Sequence, residues 1–220
     1  MDLDFWHQRW ERREIGFHQP AGNVQLRRFW PGLELPARTR VLVPLSGKTP
    51  DMAWLAEQGH PVTGVELSGV AAREFFSEWG VEPTRDRHGS LDRYRAAGLE
   101  ILVGDFFALD SEVLANAGAL YDRAALVALP PELRRRYARR LCSELPADAV
   151  GLLIALEYDP AEMDGPPFCV TGDQVHALLG ERFRIRELHR APALGPDDPL
   201  RKRGLTALTE VVYRLDPPLA

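Results

Sequence analysis

Two acidic residues and one arginine stand directly after short apolar runs of this chain. Glu66 ends one run, Asp105 follows a second, and Arg123 lies just past a third. In a parallel sheet the carboxyl ends of the strands meet at one edge, and ligands bind there. A carboxylate at that edge can accept hydrogen bonds from the two hydroxyls of a ribose. The spacing predicts both acids at one edge, although Asp is equally common as a helix or turn cap.

Glu66 closes a pattern that predicts a β-α-β unit. Residues 41–43 are an apolar run of the kind that a buried parallel strand needs. A turn of mostly small residues follows, after which Thr49 suits the N-cap and Pro50 the first position of a helix. Residues 61–65 are the second apolar run. The acid therefore ends the second strand of the unit.

The turn after the first strand narrows the choice of ligand. It lacks the Gly-x-Gly-x-x-Gly pattern that cradles a dinucleotide and the Gly-x-x-x-x-Gly-Lys-Ser/Thr loop that holds a triphosphate. A cationic nucleoside such as S-adenosylmethionine has no phosphate and needs neither pattern. We expect Leu45, Ser46 and Gly47 beside a nucleoside-like ligand, with Glu66 on its sugar. The alternative is an ordinary α/β turn with a solvated acid.

Composition argues against several classes of protein. The 220 residues suffice for a single α/β domain, and a net charge of -5 argues against a nucleic-acid partner. The two cysteines, Cys142 and Cys169, form neither a disulfide framework nor a zinc pattern, so we predict no metal. The charged N-terminus is not a secretory signal, and apolar runs are shorter than a membrane span. We expect a cytoplasmic monomer that contacts no membrane.

The N-terminal segment carries large aromatic residues. Residues 4–13 can form a helix with Phe5, Trp6 and Trp10 on one side. These rings either pack on the main core or cover a ligand. Trp10 in particular can lie against a sulfonium, since an aromatic face attracts a cation. We interpret residues 1–32 as a helical lid.

Strands and helices alternate over residues 40–215, which predicts an α/β core. The fold class that this order indicates is a doubly wound, mainly parallel seven-stranded sheet, Rossmann-like, with an antiparallel edge strand. The predicted strands are residues 41–43, 61–65, 99–103, 119–122, 149–156, 183–188 and 208–215. Residues 82–97 are polar, and we interpret them as an excursion at the edge of the sheet.

Two further segments bear on the site. The helix that begins at Pro131 has an apolar stripe and five arginines between Arg134 and Arg140, which we interpret as a solvated outer face rather than a nucleic-acid surface. Residues 158–168 contain three prolines and form a rigid loop after the fifth strand, at the proposed ligand edge.

Several motifs together resemble the thiopurine S-methyltransferases, of bacterial type, from the first helix to the last strand. They also imply the fold of the class I S-adenosylmethionine-dependent methyltransferases. The motifs are Trp6-x-x-x-Trp10, Phe17-His18-Gln19, Pro44-Leu45-x-Gly47-Lys48, Gly59-His60-x-Val62-x-Gly64-Val65-Glu66, Tyr121-Asp122-Arg123-x-x-Leu126-Val127-Ala128 and Tyr158-Asp159-Pro160 through Gly165-Pro166-Pro167-Phe168.

The resemblance implies that S-adenosylmethionine is the cofactor and S-adenosylhomocysteine the product. The residues that match cofactor-binding positions of the family are Trp10, Leu45, Glu66, Asp105, Phe106 and Arg123. Of these, Asp105 and Phe106 match the pair beside the adenine.

The resemblance also implies contacts to the methyl acceptor. Phe17 matches an aromatic residue that touches both cofactor and substrate, and Arg123 matches an arginine near the acceptor. A second family arginine falls around Arg201 to Arg203, where the match is poor. Bacterial members are linked to methylation of selenium and tellurium compounds as well as aromatic thiols, which implies a role in detoxification.

Methyl transfer from a sulfonium to a thiolate destroys two opposite charges, so a site that excludes water favours it. An acidic aromatic thiol needs no strong base, and the sequence shows no Ser-His-Asp set. Arg123 could instead form an ion pair with Asp105, Asp122 or the cofactor carboxylate. His7 and His18 could assist a less acidic acceptor. The rival functions are a nicotinamide-dependent dehydrogenase, a silent nucleoside-binding module and a methyltransferase with another acceptor.

Overall fold

The computed structural model describes residues 3–219, with side chains from residue 5 onward. Its strands are β1 (Val41–Pro44), β2 (Val62–Glu66), β3 (Thr84–His88), β4 (Leu91–Ala96), β5 (Leu99–Val103), β6 (Ala119–Asp122), β7 (Val150–Glu157), β8 (Arg184–Pro192) and β9 (Thr209–Asp216). Its α-helices are α1 (Leu3–Glu11), α2 (Val24–Phe29), α3 (Asp51–Glu57), α4 (Gly69–Trp79), α5 (Ser111–Ala115), α6 (Ala125–Ala128), α7 (Pro131–Glu144), α8 (Gly172–Leu179) and α9 (Pro199–Lys202).

The described strands form one nine-stranded sheet in the order β3-β4-β5-β2-β1-β6-β7-β9-β8. The run β5-β2-β1-β6-β7 is parallel throughout. This confirms the doubly wound, mainly parallel α/β prediction. The carboxyl ends of five neighbouring strands consequently share one edge.

The prediction of seven strands is wrong, because the described sheet has nine strands and includes one further hairpin. Residues 82–97, interpreted as a polar excursion, contain β3 and β4, which extend the sheet beyond β5. Cross-strand ion pairs hold this hairpin, since Arg93 lies opposite Asp86 and its Nε lies 2.8 Å from the Asp86 carboxylate. Only Leu91 and Tyr94 of the two strands are buried. The alternation of apolar residues that normally reveals a strand is therefore almost absent.

The predicted antiparallel hairpin forms one end of the sheet. β9 lies between β7 and β8 and is antiparallel to both, so β8 is the edge strand at this end and β3 is the edge strand at the other. Burial explains this order. Val211 and Val212 on opposite faces of β9 are both 0% exposed, whereas most residues of β8 are partly or fully exposed.

Two apolar layers cover the sheet. Helices α5, α6, α7 and α8 pack on one face, and α2, α3 and α4 pack on the other. The predicted stripe of α7 does face inward, because Tyr137, Leu141 and Leu145 are buried and Leu133 packs against them. Among the described residues, none of the helices combines the length and the apolar character that a membrane span requires.

The predicted arginine face of α7 is only partly solvated. Arg134 is 4% exposed, and its Nε donates to the carbonyls of Leu126 and Leu129 at the end of α6. Arg140 donates to the carbonyl of Phe106 from Nη1 at 2.6 Å. Both arginines bind backbone carbonyls of segments that border the ligand edge.

Candidate active site

A cavity of about 660 Å³ lies at the shared carboxyl edge of the parallel strands. The turns after β1, β2, β5 and β6 form its floor, and the N-terminal segment and the loops after β7 and β8 form its walls. It brings together all seven residues that the sequence nominated: Trp10, Phe17, Leu45, Glu66, Asp105, Phe106 and Arg123.

The turn after β1 places backbone at the floor of the cavity. Leu45 has a φ of 48° and Gly47 a φ of 57°, and the Ser46 amide donates to the carbonyl of Val65 at 2.9 Å. A Cβ on Gly47 would lie 3.3 Å from Cζ2 of Trp10. The indole thus rests on the bare backbone of the turn.

Glu66 is fixed by this turn and by its own strand end. Its Oε2 accepts from the Gly47 amide at 2.7 Å, and its Oε1 accepts from the Ser68 amide at 2.8 Å. Burial raises the pKa of Glu66 to about 7, against the lowering effect of the backbone hydrogen bonds. Because a carboxylate offers about four lone-pair sites, it retains capacity for the two hydroxyls of a ribose.

Asp105 and Phe106 follow β5 as predicted. Oδ1 of Asp105 accepts from the Phe107 amide at 2.9 Å, so this acid caps the short 3-10 turn and also lines the cavity. Phe106 is 4% exposed, and its ring lies 5.0 Å from that of Tyr137. Both uses proposed for Asp105, capping and lining a site, are geometrically compatible.

Arg123 forms no ion pair with Asp105 or Asp122 in the described part of the chain. Asp122 instead accepts from the Tyr137 hydroxyl at 2.7 Å and from the amides of Ala125 and Leu126. Burial raises the pKa of Asp122 to about 6. Arg123 is half-buried and donates from Nη1 to the carbonyl of Phe17 at 3.3 Å. Its guanidinium is thereby available to a ligand in the cavity.

The N-terminal aromatic residues form a wall over the cavity. The ring of Phe17 lies edge-on to Trp6 at 5.5 Å and to Trp10 at 5.9 Å. Trp10 is 4% exposed, whereas Phe17 is 37% exposed. Both interpretations of these rings, packing and covering a ligand, agree with this arrangement.

His18 is the predicted assisting residue that the cavity includes, whereas His7 does not line it. Burial lowers the pKa of His18, and the nearby charge of Lys48 lowers it further. Lys48 is itself held by Glu74 at 2.7 Å and by Glu78 at 2.6 Å. Burial and the charge of Lys48 therefore favour the neutral form of His18, against the opposing charges of Glu78 and Glu74.

The structure distinguishes the two arginines of the poorly matched loop. Arg203 lines the cavity and donates from Nη1 to the carbonyl of Pro166 at 2.6 Å. Arg201 donates to the carbonyls of Gly195 and Leu194 and does not line the cavity. Only Arg203 is placed to meet a ligand.

Sequence reasoning missed several polar residues of the cavity, among them Gln19 and Glu210. Gln19 belongs to a motif of the resemblance but had no predicted role. Glu210 lies on β9 opposite Leu156, and it reaches the ligand edge because β9 runs antiparallel to β7. Only the pairing of these strands reveals its position.

The amino-acid sequence matches the family described as Thiopurine S-methyltransferase over residues 1–217. Curated relatives with that name include a protein of Xanthomonas campestris pv. campestris, 48% identical over 215 residues, which cover 98% of this chain and 99% of the relative. Another, from Pseudomonas aeruginosa, is 49% identical over 216 residues with the same coverage.

The fold is also that of solved methyltransferases. The Burkholderia thailandensis 1,6-didemethyltoxoflavin-N1-methyltransferase, solved with S-adenosylhomocysteine, superposes with a TM-score of 0.64 at 19% identity, covering 98% of this chain and 86% of that protein. The residues at the ligand edge suit such a cofactor, because Glu66 keeps acceptor capacity beside the bare backbone of Gly47. The chain therefore belongs to the thiopurine S-methyltransferase family of S-adenosylmethionine-dependent methyltransferases.

Proposed function

We propose that this enzyme transfers the methyl group of S-adenosylmethionine to the sulfur of aromatic or heterocyclic thiols such as thiopurines. The observation that carries the proposal is a largely apolar cavity that contains arginines and lacks a paired catalytic acid and base among its described residues. Such a site suits an acceptor that is already anionic. The names of the relatives support the thiopurine class.

In this proposal the cofactor lies over β1, β2 and β5. Glu66 accepts hydrogen bonds from the ribose, Leu45 and the turn after β1 meet the methionine portion, and Asp105 and Phe106 border the adenine. Bound there, S-adenosylmethionine supplies an electrophilic methyl group on a sulfonium. Trp10 covers the turn at Gly47, where an aromatic face would stabilise that cation.

The acceptor lies beyond Arg123 in this proposal. The guanidinium attracts a thiolate and holds it near the methyl group, and Phe17 closes over both ligands. Because the transition state carries less separated charge than the reactants, exclusion of water by the aromatic wall favours transfer. Placing the two sulfurs in line contributes much of the remaining acceleration.

The finer features of the proposal rest on the same site. Selenium and tellurium acceptors are included because they are soft, polarisable anions like a thiolate, which points to a role in detoxification. His18 lines the cavity and is the residue that would take the proton of a less acidic thiol. The unpaired state of Cys142 and Cys169 agrees with a reducing cytoplasm, and we keep the prediction that the enzyme is a monomer.

The test is steady-state kinetics with labelled S-adenosylmethionine on aromatic thiols of graded acidity, corrected for thiolate fraction, together with matching phenols and amines. Wild-type enzyme should methylate thiols in preference to their oxygen and nitrogen analogues. Arg123→Lys keeps the charge but loses the planar fork, and it should slow anionic acceptors more than neutral ones. The matched control is Arg139→Lys on the exposed face of α7.

The outcomes separate the rival functions. A modest loss of kcat/KM for anionic acceptors in Arg123→Lys would indicate an electrostatic role of Arg123. A large loss would indicate that its guanidinium contacts the acceptor through two hydrogen bonds. Methylation of phenols or amines as efficient as that of thiols would refute the sulfur preference. Cofactor binding without transfer to any acceptor would instead identify a silent nucleoside-binding module.

A further inference from the structure

The acceptor side of the cavity contains a carboxylate that the methyl transfer described above does not use. Glu210 is half-buried near the beginning of β9, beside Leu156 of β7. It lines the same cavity as Arg123 and Arg203. Since β7 separates β9 from the strands that end at Leu45, Glu66 and Asp105, Glu210 lies on the side away from the proposed nucleoside.

Glu210 is held by one side chain of the N-terminal region. Its Oε2 accepts from Nδ2 of Asn23 at 3.4 Å, and the same amide group donates to Oε1 of Gln19 at 3.2 Å. Asn23 is 3% exposed and well anchored, because its backbone amide donates to Oδ1 of Asp51 at 2.8 Å and its Oδ1 caps α2. The partner that positions Glu210 is thus part of the buried framework.

No cation neutralises Glu210 within the described residues. No Lys, Arg or His nitrogen of that part of the chain lies within 4 Å of its carboxylate oxygens. A carboxylate offers about four acceptor sites, and one long hydrogen bond from Asn23 leaves most of them unused. A half-buried acceptor of this kind is stabilised when a ligand supplies an N–H or O–H donor.

The acceptor side therefore combines two arginines with a separate hydrogen-bond acceptor. A plain aryl thiolate gains from the arginines but offers nothing to Glu210, which repels its charge. A nitrogen heterocycle that bears both sulfur and an N–H group complements both features. Its anionic sulfur can face Arg123 while its N–H faces the carboxylate.

We propose that Glu210 is a specificity-determining residue that accepts a hydrogen bond from a ring N–H or amino group of nitrogen-heterocyclic thiols. This inference rests on the proposed function, because it concerns the acceptor of that same reaction. A hydrogen bond to a charged group contributes roughly 1.5–3 kcal/mol, so its loss lowers selectivity by about tenfold to a hundredfold.

The test compares wild type with Glu210→Gln on two bicyclic acceptors. 6-Mercaptopurine carries N–H donors, and 2-naphthalenethiol is of similar size without one. Gln keeps an acceptor oxygen but loses the charge, so we expect kcat/KM for 6-mercaptopurine to fall by about tenfold, with little change or a gain for 2-naphthalenethiol. Glu187→Gln, on the edge strand β8 and outside the cavity, is the matched control and should change neither value.

A second measurement separates this inference from the proposed function. Calorimetry of 6-mercaptopurine binding in the presence of S-adenosylhomocysteine needs no turnover, and Glu210→Gln should weaken it by the same factor. If the wild type methylated neither thiol, the proposed function would be refuted. Weaker binding of 6-mercaptopurine to Glu210→Gln than to wild type would then still support the proposed role of Glu210 in recognising the heterocycle. Equal effects of Glu210→Gln on both acceptors would overturn the inference, and so would weakened binding of S-adenosylmethionine itself.

Discussion

The two ends of the cavity are built in different ways. At the proposed cofactor end, backbone amides fix the side chains, since Ser68 and Gly47 donate to Glu66 and Phe107 donates to Asp105. At the acceptor end, distant segments meet through side chains. Arg123 contacts a carbonyl 106 positions away, and Glu210 contacts an amide 187 positions away.

This difference separates affinity for the cofactor from choice of acceptor. The cofactor end sits on the carboxyl edge of parallel strands. The acceptor end depends on connections such as residues 158–168 and 193–208, which can vary without disturbing the sheet. We therefore expect substitutions at the first end to change cofactor binding and substitutions at the second to change acceptor preference.

The largest effect should follow from Glu66→Ala. It removes the acceptor for both ribose hydroxyls, and a hydrogen bond to a charged group contributes roughly 1.5–3 kcal/mol. The affinity for S-adenosylmethionine and for S-adenosylhomocysteine should then fall by about a hundredfold or more, measured by calorimetry. Unchanged affinity for both would show that Glu66 does not bind the ribose.

The pH dependence of binding in the wild type is the control for this substitution. Burial raises the pKa of Glu66 to about 7, so the carboxyl group is largely protonated below that pH. Hydrogen bonds from a ribose favour the ionised form and lower this pKa in the complex. Affinity should therefore increase as the pH rises through 7, with proton release on binding at pH 6.5, and Glu66→Ala should lose this dependence.

Much of the cofactor end could be predicted because its determinants are local. The strand, turn and helix of residues 41–57 and the position of Glu66 follow from the order of apolar and small residues. The predicted cap is wrong by one residue, because Pro50 and not Thr49 is the N-cap of α3. The hairpin of β3 and β4 was missed for the opposite reason. Charged pairs such as Arg93 with Asp86 stabilise it, and a pattern of apolar residues does not reveal them.

The acceptor end could not be predicted because its residues depend on long-range pairing. Glu210 reaches the site only because β9 inserts beside β7, and no spacing in the sequence fixes that order. The distinction between Arg201 and Arg203 depends on how the loop after β8 folds back onto Pro166. Likewise, Arg134 looks solvated in the sequence, but the carbonyls at the end of α6 draw it inward.

An intermediate effect should follow from removing residues up to Phe17, which tests the lid that joins the two ends. A desolvated cation–aromatic contact contributes about 1–2 kcal/mol, so loss of Trp10 should weaken S-adenosylmethionine binding by about tenfold. S-adenosylhomocysteine has no sulfonium and should lose less. Thermal unfolding checks that the truncated chain is folded. Failure to fold would identify the aromatic residues as core, and normal activity would refute both interpretations.

The smallest effect should separate Arg203 from Arg201 at the acceptor end. Both lie in or next to the short helix α9, yet only Arg203 lines the cavity. Arg203 is exposed, and exposed ion pairs contribute about 0.2–1 kcal/mol. Arg203→Ala should therefore raise KM for an anionic thiol by no more than about fivefold, without changing cofactor affinity. Arg201→Ala is the matched control. A similar rise in its KM would show that both arginines act by stabilising the loop after β8, and that Arg203 does not contact the acceptor.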